Sequence, residues 1–156
     1  MQREFSEIIE FLDAKRIKYD VVDHAPVYTS EQAAATRGFE LRQGVKSLIF
    51  KVADTADFVL VLVPGDRKAD IGKLRGIIGA DDIKLASSEE VKERMNCEIG
   101  SCHPFGNLCG LKTYMDKKIL DNETVAFNAG LHTKTITMDP RDLKKLVNPV
   151  VEDFAK

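Results

Sequence analysis

One short stretch of this chain collects residues that can do chemistry: Gly100-Ser101-Cys102-His103-Pro104-Phe105-Gly106. A thiol and an imidazole stand side by side, framed by two glycines and a proline. Proline fixes its own φ and has no N–H, and glycine reaches backbone angles closed to other residues. Such a loop can hold backbone amides in an array facing a ligand, or it can be a tight turn and nothing more. Adjacent residues rarely point their side chains at each other, and nucleophile–base pairs are assembled across a fold rather than along it. Cys102-His103 alone therefore does not make a thiol enzyme.

Two further groups lie far away in sequence. Lys46 enters an apolar run, Gly44-Val45-Lys46-Ser47-Leu48-Ile49-Phe50. A buried ammonium needs a partner or a cavity. Lys46 is then a point charge for a phosphate or a clamp on an oxyanion, or else it snorkels from a strand edge. His132, in Phe127-Asn128-Ala129-Gly130-Leu131-His132, follows a strand and a glycine turn. Imidazole suits proton transfer or hydrogen bonding to a ligand; the bland role is a surface or capping histidine.

Other chemistries have weaker support. Cys97, Cys102, His103 and Cys109 lack the repeated close cysteine pairs of structural zinc sites, so no metal and no cofactor is expected. Three cysteines are an odd count, which argues against a disulfide framework and for reduced thiols. The net charge of −2 excludes a broad nucleic-acid coat, because phosphate binding draws on clustered Lys and Arg. It leaves room for a local patch from Arg37, Arg42, Arg67, Lys68, Lys73 and Arg75, which flank the Lys46 strand pair, or for an ordinary solvated face.

The elements that must position these groups can be read from local signals. The 156 residues fit one domain spanning 1–156. No apolar run approaches the roughly 20 residues of a bilayer span, and the N-terminus has no signal-peptide pattern; a cytoplasmic protein is expected. Helical spacing of Phe5, Ile8, Ile9 and Leu12 predicts a helix over 3–15. Thr29 with Gln32, and Ser87 with Glu90, form capping boxes for helices running to Arg37 and to about Met95. Apolar and β-branched runs predict strands over 45–52, 58–63, 83–85, 108–115, 124–127 and 133–138, with a further short strand at 18–22. A helix follows residue 70 and closes at Gly79. Asp139-Pro140 starts a last helix, with an N-cap and proline at its first position. Helices do not alternate one for one with strands, so the fold class is α+β with a mixed sheet, strongly curved or barrel-like.

Taken together, these motifs resemble the YbaK / prolyl-tRNA synthetase insertion-domain family of aminoacyl-tRNA editing domains. The resemblance rests on the lysine opening the strand at 45–51, the G-x-x-x-P loop from Gly100 to Pro104, and the 127–132 motif followed by a Thr-rich strand and Asp139. Pro26-Val27-Tyr28-Thr29 and Val61-Leu62-Val63-Pro64-Gly65 also fit, so the match extends from about His24 to Val147. It implies a mixed-sheet fold with flanking helices and a free-standing deacylase acting on Cys-, Ala-, Ser- or Thr-tRNA mischarged at the 3′ end. It implies catalytic roles for Lys46, Gly100 and His132, and a substrate-binding surround of Ser101, Cys102, His103, Pro104, Tyr28 and Arg67. The partners are then the tRNA acceptor end and an aminoacyl-tRNA synthetase. A non-catalytic module that holds tRNA or a synthetase is the alternative.

Overall fold

The structure is a computed structural model and describes residues 2–156, apart from the side chains of residues 30, 33, 36 and 37. Arg37 of the expected basic patch therefore lies outside the described side chains.

Helix α1 (Gln2–Ala14) buries Ile8 and Leu12 one turn apart. Strand β1 (Tyr19–Asp23) follows. Helix α2 (Ser30–Arg37) starts at Thr29, whose hydroxyl accepts the Gln32 N–H at 3.1 Å, and ends on the left-handed Gly38. The Gln32 side chain reaches back to the Tyr28 N–H at 2.9 Å, one residue earlier than a capping box would place it. Strands β2 (Val45–Val52) and β3 (Phe58–Pro64) form the expected hairpin, with Lys46 opposite Val63. Next come α3 (Ile71–Ile78), β4 (Ile83–Leu85) and α4 (Ser88–Met95). The predicted box is complete at α4: Ser87 accepts from the Glu90 N–H at 3.2 Å and Glu90 from the Ser87 N–H at 2.9 Å. The chain then runs through β5 (Lys112–Asp116), β6 (Val125–Asn128), β7 (Lys134–Met138), α5 (Pro140–Val147, capped by Asp139) and β8 (Val150–Glu152).

The strands make two sheets. One is three-stranded and antiparallel, in the order β1-β7-β6; the other is five-stranded and mixed, in the order β4-β2-β3-β5-β8. The expected α+β class with a mixed sheet is observed, but the strands are divided between two sheets instead of one barrel-like sheet. A single parallel bridge, Gly44 to Ala126, joins the two at one end.

Strand β3 shows why its sequence is continuously apolar. Leu60 and Leu62 face a core shared with α1, α4, α5 and the three-stranded sheet. Val59, Val61 and Val63 face a second core covered by Leu74 of α3 and by Phe154 near the C-terminus. A strand buried on both faces has no polar positions to alternate with.

Two expectations change here. The strand predicted over 108–115 begins only at Lys112, because residues 106–108 form a 3₁₀ turn in which Gly106 O accepts the N–H groups of Cys109 and Leu111, both at 2.9 Å. Strand β8 was not expected; three residues are too few for a period to register, and it exists because α5 returns the chain alongside β5 in parallel register. Asp116, fully buried at the end of β5, then accepts the N–H groups of Phe154 and Ala155 at 2.9 and 2.8 Å. This ties down the C-terminal segment, which in turn holds the loop after β3: Lys68 and Lys156 exchange backbone bonds of 2.9 and 2.7 Å.

Candidate active site

A cleft of about 250 Å³ opens where β2 and β6 part beyond the Gly44–Ala126 bridge. Its walls are Lys46, Ser47 and Leu48 of β2, residues 126–128 of β6, residues 39–41 before β2, Tyr28 and Thr29 ahead of α2, and Ile99, Gly100 and Cys102 from the loop after α4. It lies below the ~300–1,000 Å³ of sites for drug-sized ligands.

Of the residues predicted to carry chemistry, Lys46, Gly100, Cys102 and Tyr28 line this cleft. The Lys46 ammonium donates to the backbone carbonyl of Arg67 at 2.5 Å. Burial holds its pKa below the ordinary lysine value, against the opposing pull of Glu31 and Asp66. Arg67 thus reaches the site through its carbonyl; its guanidinium sits 4.0 Å from Asp66. The loop carrying that carbonyl is the one the C-terminal segment clamps, so Lys46 is aimed by an element far from it in sequence.

His132 stands behind the cleft wall. Its Nδ1 donates to Val27 O at 2.8 Å, since a carbonyl can only accept, and Nε2 lies 3.0 Å from a Glu98 carboxylate oxygen. Its ring packs on Tyr28, with centroids 4.3 Å apart. Val27 N–H returns a bond to His132 O at 3.0 Å, Gly130 N–H donates to Ser101 O at 3.0 Å, and the Asn128 amide donates to Gly100 O at 2.5 Å. Three segments, 27–28, 98–101 and 128–132, are therefore laced together around one wall. Asn128, Ser47 and Glu98 were missed by sequence reasoning. Asn128 stood inside a quoted motif, but an asparagine after a strand reads as turn chemistry.

The remaining loop residues turn away. Ser101 is buried; its hydroxyl and its N–H both bond to Glu98 O, at 2.9 and 3.0 Å. That amide is therefore consumed by the turn and leaves any array facing a ligand. Pro104 is buried and His103 is only 2% exposed; neither lines the cleft. His103 Nδ1 accepts the Phe105 N–H at 3.1 Å, which leaves the ring proton on Nε2, 3.8 Å from Cys109 Sγ.

The expectation of three reduced thiols is corrected. Cys97 and Cys102 form a disulfide, with Cα atoms 5.6 Å apart. The turn at Glu98–Ser101 brings the two together, a folding event that residue counting does not register. Cys102 lines the cleft as half of a disulfide and is not a free thiol nucleophile. Cys109 is the free cysteine. Burial pushes its thiol up to about 11 and pushes His103 down to about 4, so at neutral pH the pair is thiol and neutral imidazole, not thiolate and imidazolium. Among the described residues, no group of three or more His, Cys, Asp or Glu is placed to hold a metal ion, and no helix is long and apolar enough to cross a membrane. In the expected basic patch, Arg42 is engaged by Glu40 at 2.7 Å and by Asn122.

Gly100 provides a test of the wall. Its φ is +91°, and a Cβ there would come within 3.0 Å of Tyr28 O and 3.7 Å of His132 Cε1. Gly100→Ala is expected to cost about 1–3 kcal/mol of stability while moving the loop off Tyr28. Thermal unfolding and a crystal structure of the variant check this; an unshifted loop with unchanged stability would refute it.

Comparison with known proteins places this geometry in context. A family model described as an aminoacyl-tRNA editing domain matches residues 24–146. The chain is 30% identical over 152 residues to the multifunctional Ser/Thr-tRNA deacylase ProXp-y of Escherichia coli K12, covering 96% of this chain and 91% of that protein. It is 27% identical over 144 residues to the prolyl-tRNA editing protein ProX of Acetoanaerobium sticklandii, covering 90% and 88%. A solved structure described as a candidate trans-editing enzyme for prolyl tRNA synthetase superposes with a TM-score of 0.85 at 27% identity, covering 98% and 97% of the two chains.

Proposed function

Since the chain belongs to the aminoacyl-tRNA editing domain family, we propose that residues 1–156 act as one domain that hydrolyses the ester joining a wrongly attached amino acid to the 3′-terminal adenosine of a tRNA, working in trans. The observation that carries this reading is that Lys46 of β2 and Gly100 of the loop after α4, 54 positions apart in sequence, line one small cleft.

An aminoacyl ester carbonyl is already electrophilic, so little covalent chemistry is asked of the protein. Water adds to the carbonyl carbon, the C–O bond to the ribose breaks, and the ribose oxygen takes a proton. What the protein supplies is position and charge. Lys46, partly buried and held by Arg67 O, is suited to meet a terminal phosphate or the developing oxyanion. The backbone at Gly100 and Cys102 offers amides on the same wall. His132 acts here as a positioning residue that ties Val27, Tyr28 and Glu98 together, and Tyr28, 60% exposed at the rim, offers a face for the terminal base. Arg67, Lys68, Lys73 and Arg75 are available to the acceptor stem, and a synthetase that makes the error is the natural source of substrate. Such a domain answers a physical limit: a synthetase pocket gains only about 1–3 kcal/mol per methylene and cannot firmly exclude near-isosteres.

The test is a panel of tRNAs charged with serine, threonine, alanine or cysteine. At least one is expected to be deacylated, and Lys46→Ala is expected to lower kcat/KM for it by roughly 10²–10³-fold, the usual cost of removing a preorganised charge donor. If tRNA binds, with steep salt dependence, but every ester survives, the protein is a binding module. An unchanged rate in Lys46→Ala would remove Lys46 from the mechanism.

A further inference from the structure

The Lys46 ammonium donates to the backbone oxygen of Arg67 at 2.5 Å. A carbonyl can hold an ammonium in one place only if its own direction is fixed. The peptide unit that follows Arg67 is planar and trans, so its C=O and the Lys68 N–H point opposite ways. Whatever holds the Lys68 N–H therefore sets where the Arg67 oxygen points. That N–H donates to the backbone oxygen of Lys156 at 2.9 Å.

The pairing continues beyond this bond. Lys156 N–H donates back to Lys68 O at 2.7 Å, Ala69 bridges Ala155 in antiparallel register, and Asp70 N–H donates to Phe154 O at 2.8 Å. Residues 154–156 thus lie against 68–70 as a short extra strand. Phe154 and Ala155 are buried and bonded to Asp116. Lys156 is exposed, and it is the one that bonds the residue next to Arg67. On the near side, Arg67 N–H closes a turn on Pro64 O at 3.0 Å. The Arg67 carbonyl therefore sits between a turn and a strand pairing, and the strand partner of its own peptide unit is Lys156.

A lysine side chain has a flexible four-carbon stem and three N–H donors. The bond to Arg67 O removes the freedom of the stem and spends one donor. Two donors are left for an oxygen of a molecule in the cleft that Lys46 lines.

We propose that Lys156 is a positioning residue of the candidate active site: its backbone oxygen orients the Arg67–Lys68 peptide, whose carbonyl sets the Lys46 ammonium. This rests on the deacylase reading in which Lys46 meets the substrate. The role belongs to the backbone at 156 and not to the side chain. A displacement of about 1 Å in a positioned group can cost on the order of 10²-fold in rate, so an element outside the cleft can govern the chemistry in it.

The experiment measures kcat and KM for whichever of seryl-, threonyl-, alanyl- and cysteinyl-tRNA the wild type cleaves fastest. Removal of Lys156 deletes both backbone bonds to Lys68 and is expected to lower kcat at least about tenfold, with KM and Tm little changed. Lys156→Ala keeps both bonds and is expected to match the wild type. In the Lys46→Ala background, removal of Lys156 is expected to have no further effect, because the group it positions is gone. A merely structural role would instead give losses that add in the double variant, or a drop in Tm that accounts for the lost rate; either overturns the proposal. So does an unchanged kcat on removal of Lys156, or an equal loss in Lys156→Ala. If Lys46→Ala loses activity and removal of Lys156 does not, this proposal falls while the role of Lys46 stands. If an ester is cleaved and Lys46→Ala has no effect, the role of Lys46 falls and takes this proposal with it. If no ester is cleaved, the deacylase reading falls as well.

Discussion

Alanine at Gly106 is expected to destabilise the protein by at least about 3 kcal/mol, a drop in Tm of roughly 6–12 °C for a chain of this size. The added Cβ would overlap the Thr113 hydroxyl and come within 2.9 Å of Leu111 O and 3.2 Å of Leu60 Cδ2. None of these can easily give way. Leu111 O is backbone at the entry to β5, Leu60 lies fully buried at the centre of the five-stranded sheet, and Thr113 is β-branched, so rotating its hydroxyl away brings in its methyl. Overpacking in a tight core typically costs 1–3 kcal/mol, and here three neighbours must move at once. The contrast with Gly100 is informative. Both glycines frame the same loop, but Gly100 faces the cleft and Gly106 the core. Urea unfolding of both variants separates the two roles; a stable Gly106→Ala protein would show that β5 is less firmly seated than its packing implies.

Acid is expected to act on the fold through His103. Buried, it titrates at about 4 in the folded chain, against about 6.5 in an unfolded one. Between those values the unfolded state binds a proton that the folded state refuses. The stabilisation is therefore complete above pH 6.5, falls as pH drops, and is gone below pH 4. The difference amounts to about 3 kcal/mol, carried by a residue that is 2% exposed. In His103→Asn the side-chain oxygen can still accept the Phe105 N–H but cannot titrate. That variant is expected to start less stable at pH 7, because it leaves a small void, yet to lose about 3 kcal/mol less than the wild type between pH 7 and pH 4. Unfolding free energies measured across that range decide it; parallel curves would mean that His103 takes up its proton as readily in the folded chain as in the unfolded one.

Local signals in the sequence were enough for most of the scaffold. The caps at Thr29, Ser87 and Asp139 lie within three residues of the groups they bond. The β2–β3 hairpin is written in two apolar runs and the short stretch between them. Signals failed where structure depends on a remote partner. The predicted 108–115 strand lost its first residues to a glycine-led turn, and β8 needs β5 beside it.

At the candidate site the division is sharper. Lys46, Gly100 and the 127–132 motif were legible because an ammonium in an apolar strand and a glycine before a proline are unusual in themselves. The part each plays was not. His132 bonds Val27 O and reaches Glu98, Ser101 spends its amide on Glu98, and Arg67 meets Lys46 through its carbonyl. Cys97 and Cys102 are joined, and His103 faces the core rather than the cleft.

The physical reason is one of range. Propensity, capping and hydrophobic periodicity act over a few residues, so the chain by itself determined its elements and marked the residues rare enough to need explanation. Which residues of β2, β6 and the 100–106 loop line one cleft depends on two sheets meeting at a single bridge, and the aim of Lys46 on a C-terminal segment clamped by Asp116. Only the tertiary structure decided that. It joined Cys97 to Cys102, turned His103 into the core and left Gly100 and Cys102 of the loop on the cleft.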